Sequence, residues 1–224
     1  MSELTIWGRR NAFNVQKVLW LLDELGLEYR HRDAGGAWGG LNSPEFLAMN
    51  PHGRVPVLQD GELAVWESHA ILRYLAARYA RGAGVSDPAA QWWPEQPAER
   101  VRIDAWMDWS LATLQPDFMR LFWLFYRTPE AQRQAQKIAL SVVACDEHFG
   151  LLERELGQRP YLAGDVCSLA DIAAGTALYR YFEMGVPVVQ QANVMAWYAR
   201  LAARPAFRKN IMSPFADLLG RLDY

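Results

Sequence analysis

"GRVPVLQDGELAVWES", residues Gly53–Ser68, contains two short apolar runs on either side of Asp60-Gly61. Asp-Gly between apolar runs is typical of a β-hairpin. The first run also holds Pro56, which cannot donate a ladder hydrogen bond and normally occupies strand edges, bulges or strand starts. A cis peptide bond before Pro56 would explain the position, since X–Pro bonds are the ones that adopt the cis form. It would leave the Val55 amide and carbonyl unpaired, so that an extended peptide could dock on them.

The residues around the hairpin predict a small α/β unit. An apolar strand, a helix with apolar residues at helical spacing, and a second strand precede it, and a further helix follows it. The predicted elements are a strand at Leu4–Trp7, a helix between Asn14 and Gly26, a strand at Tyr29–Arg32 and a helix from Ser68, as N-cap, to about Tyr79. A strand–helix–strand crossover gives a parallel pair and the hairpin adds antiparallel strands, so the predicted sheet is mixed.

The second half of the chain is helical in character. Prolines and glycines in residues 82–97 predict a linker between residues 1–81 and residues 98–224. Beyond it, Pro116 predicts a kink in a helix from Glu99 to about Tyr126. Thr128, followed by proline and glutamate, predicts a helix start. Ser168-Leu-Ala-Asp171 resembles a capping box that opens a helix through Tyr181.

Composition excludes several classes of function. The chain has 224 residues and a net charge of −2, without the basic surface that nucleic-acid binding needs. No apolar run approaches the roughly 20 residues of a membrane span, and the first residues lack a signal-peptide pattern. The two cysteines, Cys145 and Cys167, suit a reducing compartment, so a cytoplasmic location is expected. The four histidines are scattered without ligand spacing, and no metal site is predicted.

Several motifs together resemble those of cytosolic glutathione transferases, in particular bacterial, theta-like members. "NPHGRVPVLQDG" followed by "ESHAILRYL" is similar to the family's first domain, and "GRRNAFNVQKVLWLLDELGLEY" to its first strand and helix. "GDVCSLADI" is similar to the capping motif of its second domain. The resemblance covers almost the whole chain. It implies a thioredoxin-like domain at 1–81, an all-α domain at 98–224, a homodimer, and transfer of glutathione to a small hydrophobic electrophile, or reduction of one, as in detoxification.

The resemblance also implies which residues bind glutathione. The Val55 backbone would pair with the cysteinyl part, next to the family's cis proline at Pro56. Glu67 and Ser68 would hold the γ-glutamyl end, and Arg54 could reach the glycyl carboxylate. The first-turn amides and dipole of a helix that starts at Ser68 would favour a carboxylate there. The alternative is that Ser68 only caps the helix and Glu67 only complements its dipole.

The sequence offers two candidates for the residue that stabilises the glutathione thiolate. Ala12 occupies the position where related members carry a serine, threonine or cysteine, and it has no proton to donate. Asn11 and Asn14 are the nearest substitutes, and Asn14 matches an asparagine of some bacterial members. Either asparagine could instead cap the helix. Ala12 therefore also supports a second hypothesis, a non-catalytic relative that binds glutathione, an apolar ligand or a protein partner. A maleylacetoacetate-type isomerase is disfavoured, because its serine- and cysteine-rich signature is absent from residues 11–14.

Aromatic residues are candidates for an acceptor pocket, which in the family lies between the two domains. Large aromatic side chains suit an apolar or aromatic acceptor. The candidates are Phe13, Trp38, Trp106, Trp109, Phe122 and Trp123. The alternative is that aromatics at helical spacing fill the core, and we expect this of about half of them.

Overall fold

A four-stranded mixed sheet lies at the centre of the first of two structural units. The computed structural model describes residues 3–80 and 91–222, and this unit extends to Trp93 and includes Lys209–Ile211. The strands are β1 (Leu4–Trp7), β2 (Tyr29–Arg32), β3 (Val57–Asp60) and β4 (Leu63–Trp66), in the order β2-β1-β3-β4. β1 pairs parallel with β2 and antiparallel with β3, which confirms the predicted mixed sheet.

Three helices accompany the sheet, and Phe46 on the second of them belongs to a buried cluster with Ala34 and Val57. The helices are α1 (Phe13–Glu24), α2 (Pro44–Met49) and α3 (Ser68–Tyr79). α1 and α3 pack on each other, and Val18, Leu19 and Leu72 on these helices are fully buried. Burying each such side chain contributes about 1.5–3 kcal/mol. This packing holds α1 and α3 together within the first unit.

The hairpin between β3 and β4 forms as the sequence predicts, with Gly61 at φ 61° in its turn. A positive φ is the conformation in which glycine has no steric penalty. Asp60 ends β3 and accepts hydrogen bonds from the hydroxyls of Tyr74 (2.7 Å) and Tyr79 (2.5 Å) on α3. β3 begins only at Val57, so Pro56 precedes the strand and does not interrupt it.

Both helix starts differ from the prediction by one or two residues. α1 begins at Phe13 with Ala12 as N-cap, so Asn14 lies inside the first turn. α3 begins at Ser68, and the residue in the N-cap position is Glu67, with φ 68°. The prediction that Ser68 is the N-cap is therefore wrong. The chain reverses at Glu67, the only non-glycine residue with positive φ in the described ranges, and this places Ser68 already in helical geometry.

The second unit is helical, which confirms the predicted all-α class. It comprises Pro94–Arg208 and Met212–Leu222. Its helices are α4 (Pro97–Trp109), α5 (Gln115–Leu121), α6 (Ala135–Leu156), α7 (Leu169–Gly175), α8 (Leu178–Glu183), α9 (Ala192–Ala202) and α10 (Pro205–Asn210), the last two residues of which belong to the first unit. The predicted linker at 82–97 falls partly outside the described residues. Across the described ranges, no helix has both the length and the apolar composition needed to cross a membrane.

Threonine hydroxyls explain two errors in the predicted helices. After α5 the chain continues as a π-helical segment, Phe122–Arg127, that ends at Thr128, whose hydroxyl donates to the Trp123 carbonyl (2.9 Å). The helix predicted to begin at Thr128 is only a 3-10 turn at Glu130–Gln132, and α6 begins at Ala135. The helix predicted to run to Tyr181 is divided at Thr176, whose hydroxyl donates to the carbonyl four residues earlier (2.7 Å). Such back-bonding bends helices. Ahead of Pro116, a π-helical turn at Ser110–Leu114 joins α4 to α5.

The predicted capping box organises the second unit around one buried carboxylate. Asp171 is fully buried and accepts from the Ser168 amide (2.9 Å) and hydroxyl (3.0 Å). It also accepts from the Leu162 amide (3.0 Å) and from the Trp197 indole N–H on α9 (2.9 Å). Burial raises the pKa of the Asp171 carboxyl, and the donated hydrogen bonds oppose that rise. The carboxylate thus joins α7, α9 and the preceding loop.

Candidate functional site

The register of the hairpin brings two short segments together at the end of the sheet. The ladder pairs Val57 with Trp66. Because β3 and β4 are antiparallel, Val55–Pro56 before β3 and Glu67–Ser68 after β4 continue side by side. The Val55–Pro56 peptide bond is cis. Four of the residues proposed from the sequence therefore lie together in one unit.

The backbone of Val55 is available to a ligand. Among the residues that the structure describes, neither its N–H nor its carbonyl has a hydrogen-bond partner. Val55 is partly exposed, whereas Pro56 is buried. Unpaired backbone groups of an extended segment are what an added peptide strand uses. The position can therefore accept a short extended peptide.

Asn50 holds the loop that leads to Val55. Its side-chain amide donates to the Arg54 carbonyl (2.8 Å), and its Oδ1 accepts from the His52 amide (3.0 Å). Asn50 is itself buried, whereas the Arg54 side chain is exposed. The sequence reasoning gave no role to Asn50, although it is the first residue of the quoted "NPHGRVP" motif. Arg54 remains a candidate for a ligand carboxylate because its guanidinium extends from a fixed loop.

The first turn of α3 combines donors with a neighbouring carboxylate. The first intrahelical bond runs from the Ile71 amide to the Glu67 carbonyl (2.9 Å). In the described part of the chain, the amides of Ser68, His69 and Ala70 have no backbone partner, and the Ser68 hydroxyl makes no hydrogen bond. The Glu67 side chain is exposed beside them. Helix amides and dipole favour an anion, and the carboxylate favours a cation, so the arrangement fits an amino-acid zwitterion.

The start of α1 lacks a hydroxyl or thiol, but carries two asparagines. Ala12, which has no side chain able to cap a helix, occupies the N-cap position of α1. The Asn14 Oδ1 is buried and has no partner within the described residues. Amide oxygen and nitrogen are assigned by their hydrogen bonds, and a half-turn of this amide would place two N–H donors at the same point. Asn14 is thus able to donate at the first turn of α1.

Gly8 brings the start of α1 against Val55. It follows β1 directly and has φ 137°. A Cβ at this position would lie 2.5 Å from Cγ2 of Val15 and 2.9 Å from Cβ of Val55. Both distances are too short for real atoms, so the approach of these two residues requires glycine. Sequence reasoning did not identify Gly8, whose only signal was its place after the first strand.

A buried pair of polar side chains lies behind the first turn of α3. Lys17 on α1 is fully buried, and its Nζ is 3.1 Å from Nε2 of His69, which is 2% exposed. Burial lowers the pKa of Lys17 to about 7, an effect that Glu67 opposes. Burial, with the charges of Lys17 and Arg73, lowers the pKa of His69 to about 2. His69 is therefore neutral, and its Nε2 accepts from the ammonium.

The aromatic candidates divide between the two units. In the first unit, Phe13 is buried and Trp38 is 59% exposed. In the second unit, Phe122 is buried and stacks with Tyr126 at 5.2 Å between ring centroids. Trp106 and Trp109 meet edge to face at 5.2 Å, and the Arg127 guanidinium lies 4.5 Å from the Trp123 ring centroid. Phe13 and Phe122 thus belong to the cores of their own units, whereas Trp38 is open to solvent.

Comparison with known protein families finds two matching models. Residues 2–77 match the model described as glutathione S-transferase, N-terminal domain. Residues 114–205 match the model described as glutathione S-transferase, C-terminal domain.

Similar proteins are found among curated sequences and solved structures. The glutathione S-transferase GstB of Escherichia coli K12 is 39% identical over 213 residues, covering 94% of this chain and 99% of the relative. Glutathione S-transferase 3 of Zea mays is 31% identical over 225 residues, with 94% of each chain covered. A theta class glutathione S-transferase from Xanthomonas axonopodis pv. citri, solved with glutathione bound, is 44% identical with a TM-score of 0.87. That match covers 96% of this chain and 99% of that one.

Proposed function

We propose that this chain, which belongs to the glutathione S-transferase family, binds glutathione in its first unit and transfers it to a hydrophobic electrophile, or reduces one with it. The observation that carries the proposal is the unpaired Val55 backbone beside the donors and carboxylate of Glu67–Ser68. A tripeptide with a zwitterionic end matches both features. The glutathione bound to the Xanthomonas relative is consistent with this ligand.

Each part of glutathione has a proposed partner. The cysteinyl backbone pairs with the N–H and carbonyl of Val55 as an added strand. The γ-glutamyl carboxylate accepts from the Ser68 hydroxyl and first-turn amides, and the ammonium donates to Glu67. Arg54 reaches the glycyl carboxylate from its exposed position. These residues hold both ends of the tripeptide, and the strand pairing at Val55 sets the direction of the cysteinyl side chain.

The proposed chemistry is nucleophilic attack by the glutathione thiolate. A thiol has a pKa of about 8.5 and reacts as the thiolate, so the site must stabilise negative charge on sulfur. Ala12 has no proton to donate. We assign this role to Asn14, with Asn11 as the second candidate, together with the amides and dipole of the first turn of α1. The thiol proton passes to solvent, the thiolate forms the new bond to the electrophile, and the leaving group departs with its electron pair.

Replacing Ser68 with alanine is expected to weaken glutathione binding about tenfold, because a hydrogen bond to a charged carboxylate is lost. Isothermal titration calorimetry at millimolar glutathione measures the affinity. Ser141→Ala is the matched control, since this buried hydroxyl on α6 donates only to the Lys137 carbonyl (2.9 Å). Absence of binding to the unmodified protein rejects the proposed function. Equal affinities of the protein and its Ser68→Ala variant remove Ser68 from the site.

Replacing Asn14 with alanine is expected to raise the pKa of the bound glutathione thiol by about one unit, equivalent to about 1.4 kcal/mol of lost thiolate stabilisation. Ultraviolet titration of thiolate absorbance measures the change, and Asn11→Ala is the comparison variant, with a smaller shift. If the Asn14→Ala variant binds glutathione with an unchanged thiol pKa, Asn14 has no part in the mechanism.

Ala12 favours a second function, that of a non-catalytic relative that binds glutathione, an apolar ligand or a protein partner. Binding of glutathione without turnover across a panel of electrophiles would support it. For the catalytic function, the acceptor proposed is apolar or aromatic, in keeping with the aromatic candidates of the sequence. The homodimer and the cytoplasmic location implied by the family resemblance remain predictions.

A further inference from the structure

A cation is buried directly behind the first turn of α3. Lys17 has no exposed surface, and its Nζ lies 3.1 Å from Nε2 of His69, the second residue of α3. The ammonium is also 5.0 Å from the centroid of the Phe13 ring on its own helix. Burial of a charge is costly unless its surroundings compensate for it. A lysine in this position is therefore a feature of the site's electrostatics and not of a solvated helix face.

The charged groups around Lys17 come from α1, from α3 and from the residue before α3. Glu67 attracts the ammonium, while Lys17 and Arg73 together oppose protonation of His69. At the far end of α1, Lys209 forms an ion pair with Asp23 at 2.8 Å. Because Glu67 is exposed, its charge is screened by water, whereas the charge of Lys17 acts through the low-dielectric interior.

We propose that Lys17 is a positioning residue for the γ-glutamyl end of glutathione. Held by His69 behind the first turn of α3, its ammonium adds to the positive end of the helix dipole and strengthens the anion site formed by Ser68 and the adjacent amides. This inference rests on the proposed function, since it concerns the same ligand. Lys17 would act on the ligand through its charge and make no direct contact with it.

Protonation of Lys17 then couples ligand binding to pH. Since Lys17 has a pKa of about 7, the site loses this positive charge as the pH rises through neutrality. Affinity for the γ-glutamyl carboxylate therefore falls over the same range. By linkage, the bound carboxylate raises the pKa of Lys17, so binding near neutral pH takes up protons from the buffer.

S-methylglutathione is the appropriate probe, because it keeps the γ-glutamyl end and has no thiol to titrate. We expect its affinity for the unmodified protein to fall about fivefold between about pH 6 and about pH 8.5. Calorimetry in two buffers of different ionisation enthalpy should detect uptake of about 0.4 proton per ligand near pH 7.3. The free ammonium of the probe also titrates over this range, so the effects assigned to Lys17 are the part of the pH dependence and of the proton uptake that its variants lose.

Three variants separate charge from packing. Lys17→Met keeps the approximate length of the side chain without its charge. This variant should bind S-methylglutathione weakly and should lack the proton uptake assigned to Lys17. Lys17→Arg keeps a charge at every pH of the experiment and should bind tightly throughout. Lys209→Met removes an exposed lysine of the same unit and should behave as the unmodified protein does. Circular dichroism establishes that each variant is folded.

The outcomes distinguish this inference from the proposed function. A pH-dependent affinity that is lost in folded Lys17→Met, or in folded Lys17→Arg if the methionine variant does not fold, supports the inference. A dependence that these variants retain undiminished overturns it. Binding without proton uptake by the unmodified protein also overturns it and leaves the proposed function intact. If S-methylglutathione does not bind at millimolar concentrations, the proposed function fails as well.

Discussion

Alanine at position 8 is expected to abolish glutathione binding and to lower the free energy of unfolding by about 3 kcal/mol. The new Cβ would lie 2.5 Å from Val15 and 2.9 Å from Val55, and Gly8 has φ 137°. The methyl group can be accommodated only if Val55 or the first turn of α1 moves. Either movement displaces the proposed backbone pairing. Urea denaturation measures the stability, and calorimetry measures glutathione binding.

Gly26→Ala is the matched control for this substitution. Gly26 also has a positive φ, 62°, but a Cβ there has no neighbouring atom within 4 Å. We expect the variant to lose about 1 kcal/mol of stability from backbone strain and to bind glutathione normally. If Gly8→Ala also binds glutathione with unchanged affinity, the backbone of Val55 does not bind glutathione.

Asp171→Ala is expected to lower the free energy of unfolding of the second unit by about 4 kcal/mol, because it leaves buried N–H and O–H donors without an acceptor. The lost partners include the Ser168 amide and the Trp197 indole, each at 2.9 Å. Urea denaturation followed by tryptophan fluorescence measures the change. Asp165→Ala, which removes an exposed carboxylate from the same loop, should change the stability by less than about 0.5 kcal/mol. Equal stability of these two variants would contradict the role assigned to Asp171.

The hairpin was predictable because its signals are local. Asp60-Gly61 fixes the turn, and the turn fixes the antiparallel register that brings Val55–Pro56 beside Glu67–Ser68. The capping box at Asp171 was predictable for the same reason, since its two partners lie three residues apart. Local signals also gave one wrong prediction. Thr128 has the features of a helix start, but its hydroxyl donates to the carbonyl of Trp123, five residues earlier in the chain.

The other parts of the candidate site depend on contacts between distant residues. Lys17 lies among apolar positions of α1, and from the sequence a single lysine in a helix is expected to lie on its solvent-exposed face. It is buried because α3 covers it and His69, 52 residues away, accepts its hydrogen bond. Glycine is required at position 8 because Val55, in the segment before β3, lies against it. Such requirements come from packing, and spacing within one element does not reveal them.

The most direct test of the proposed function is a crystal structure of the protein grown with glutathione. We expect the cysteinyl N–H and carbonyl of the ligand at about 2.7–3.2 Å from the backbone of Val55, with the γ-glutamyl carboxylate on the Ser68 hydroxyl. A structure in which glutathione binds elsewhere, or in which protein groups already occupy the N–H and carbonyl of Val55, would contradict it.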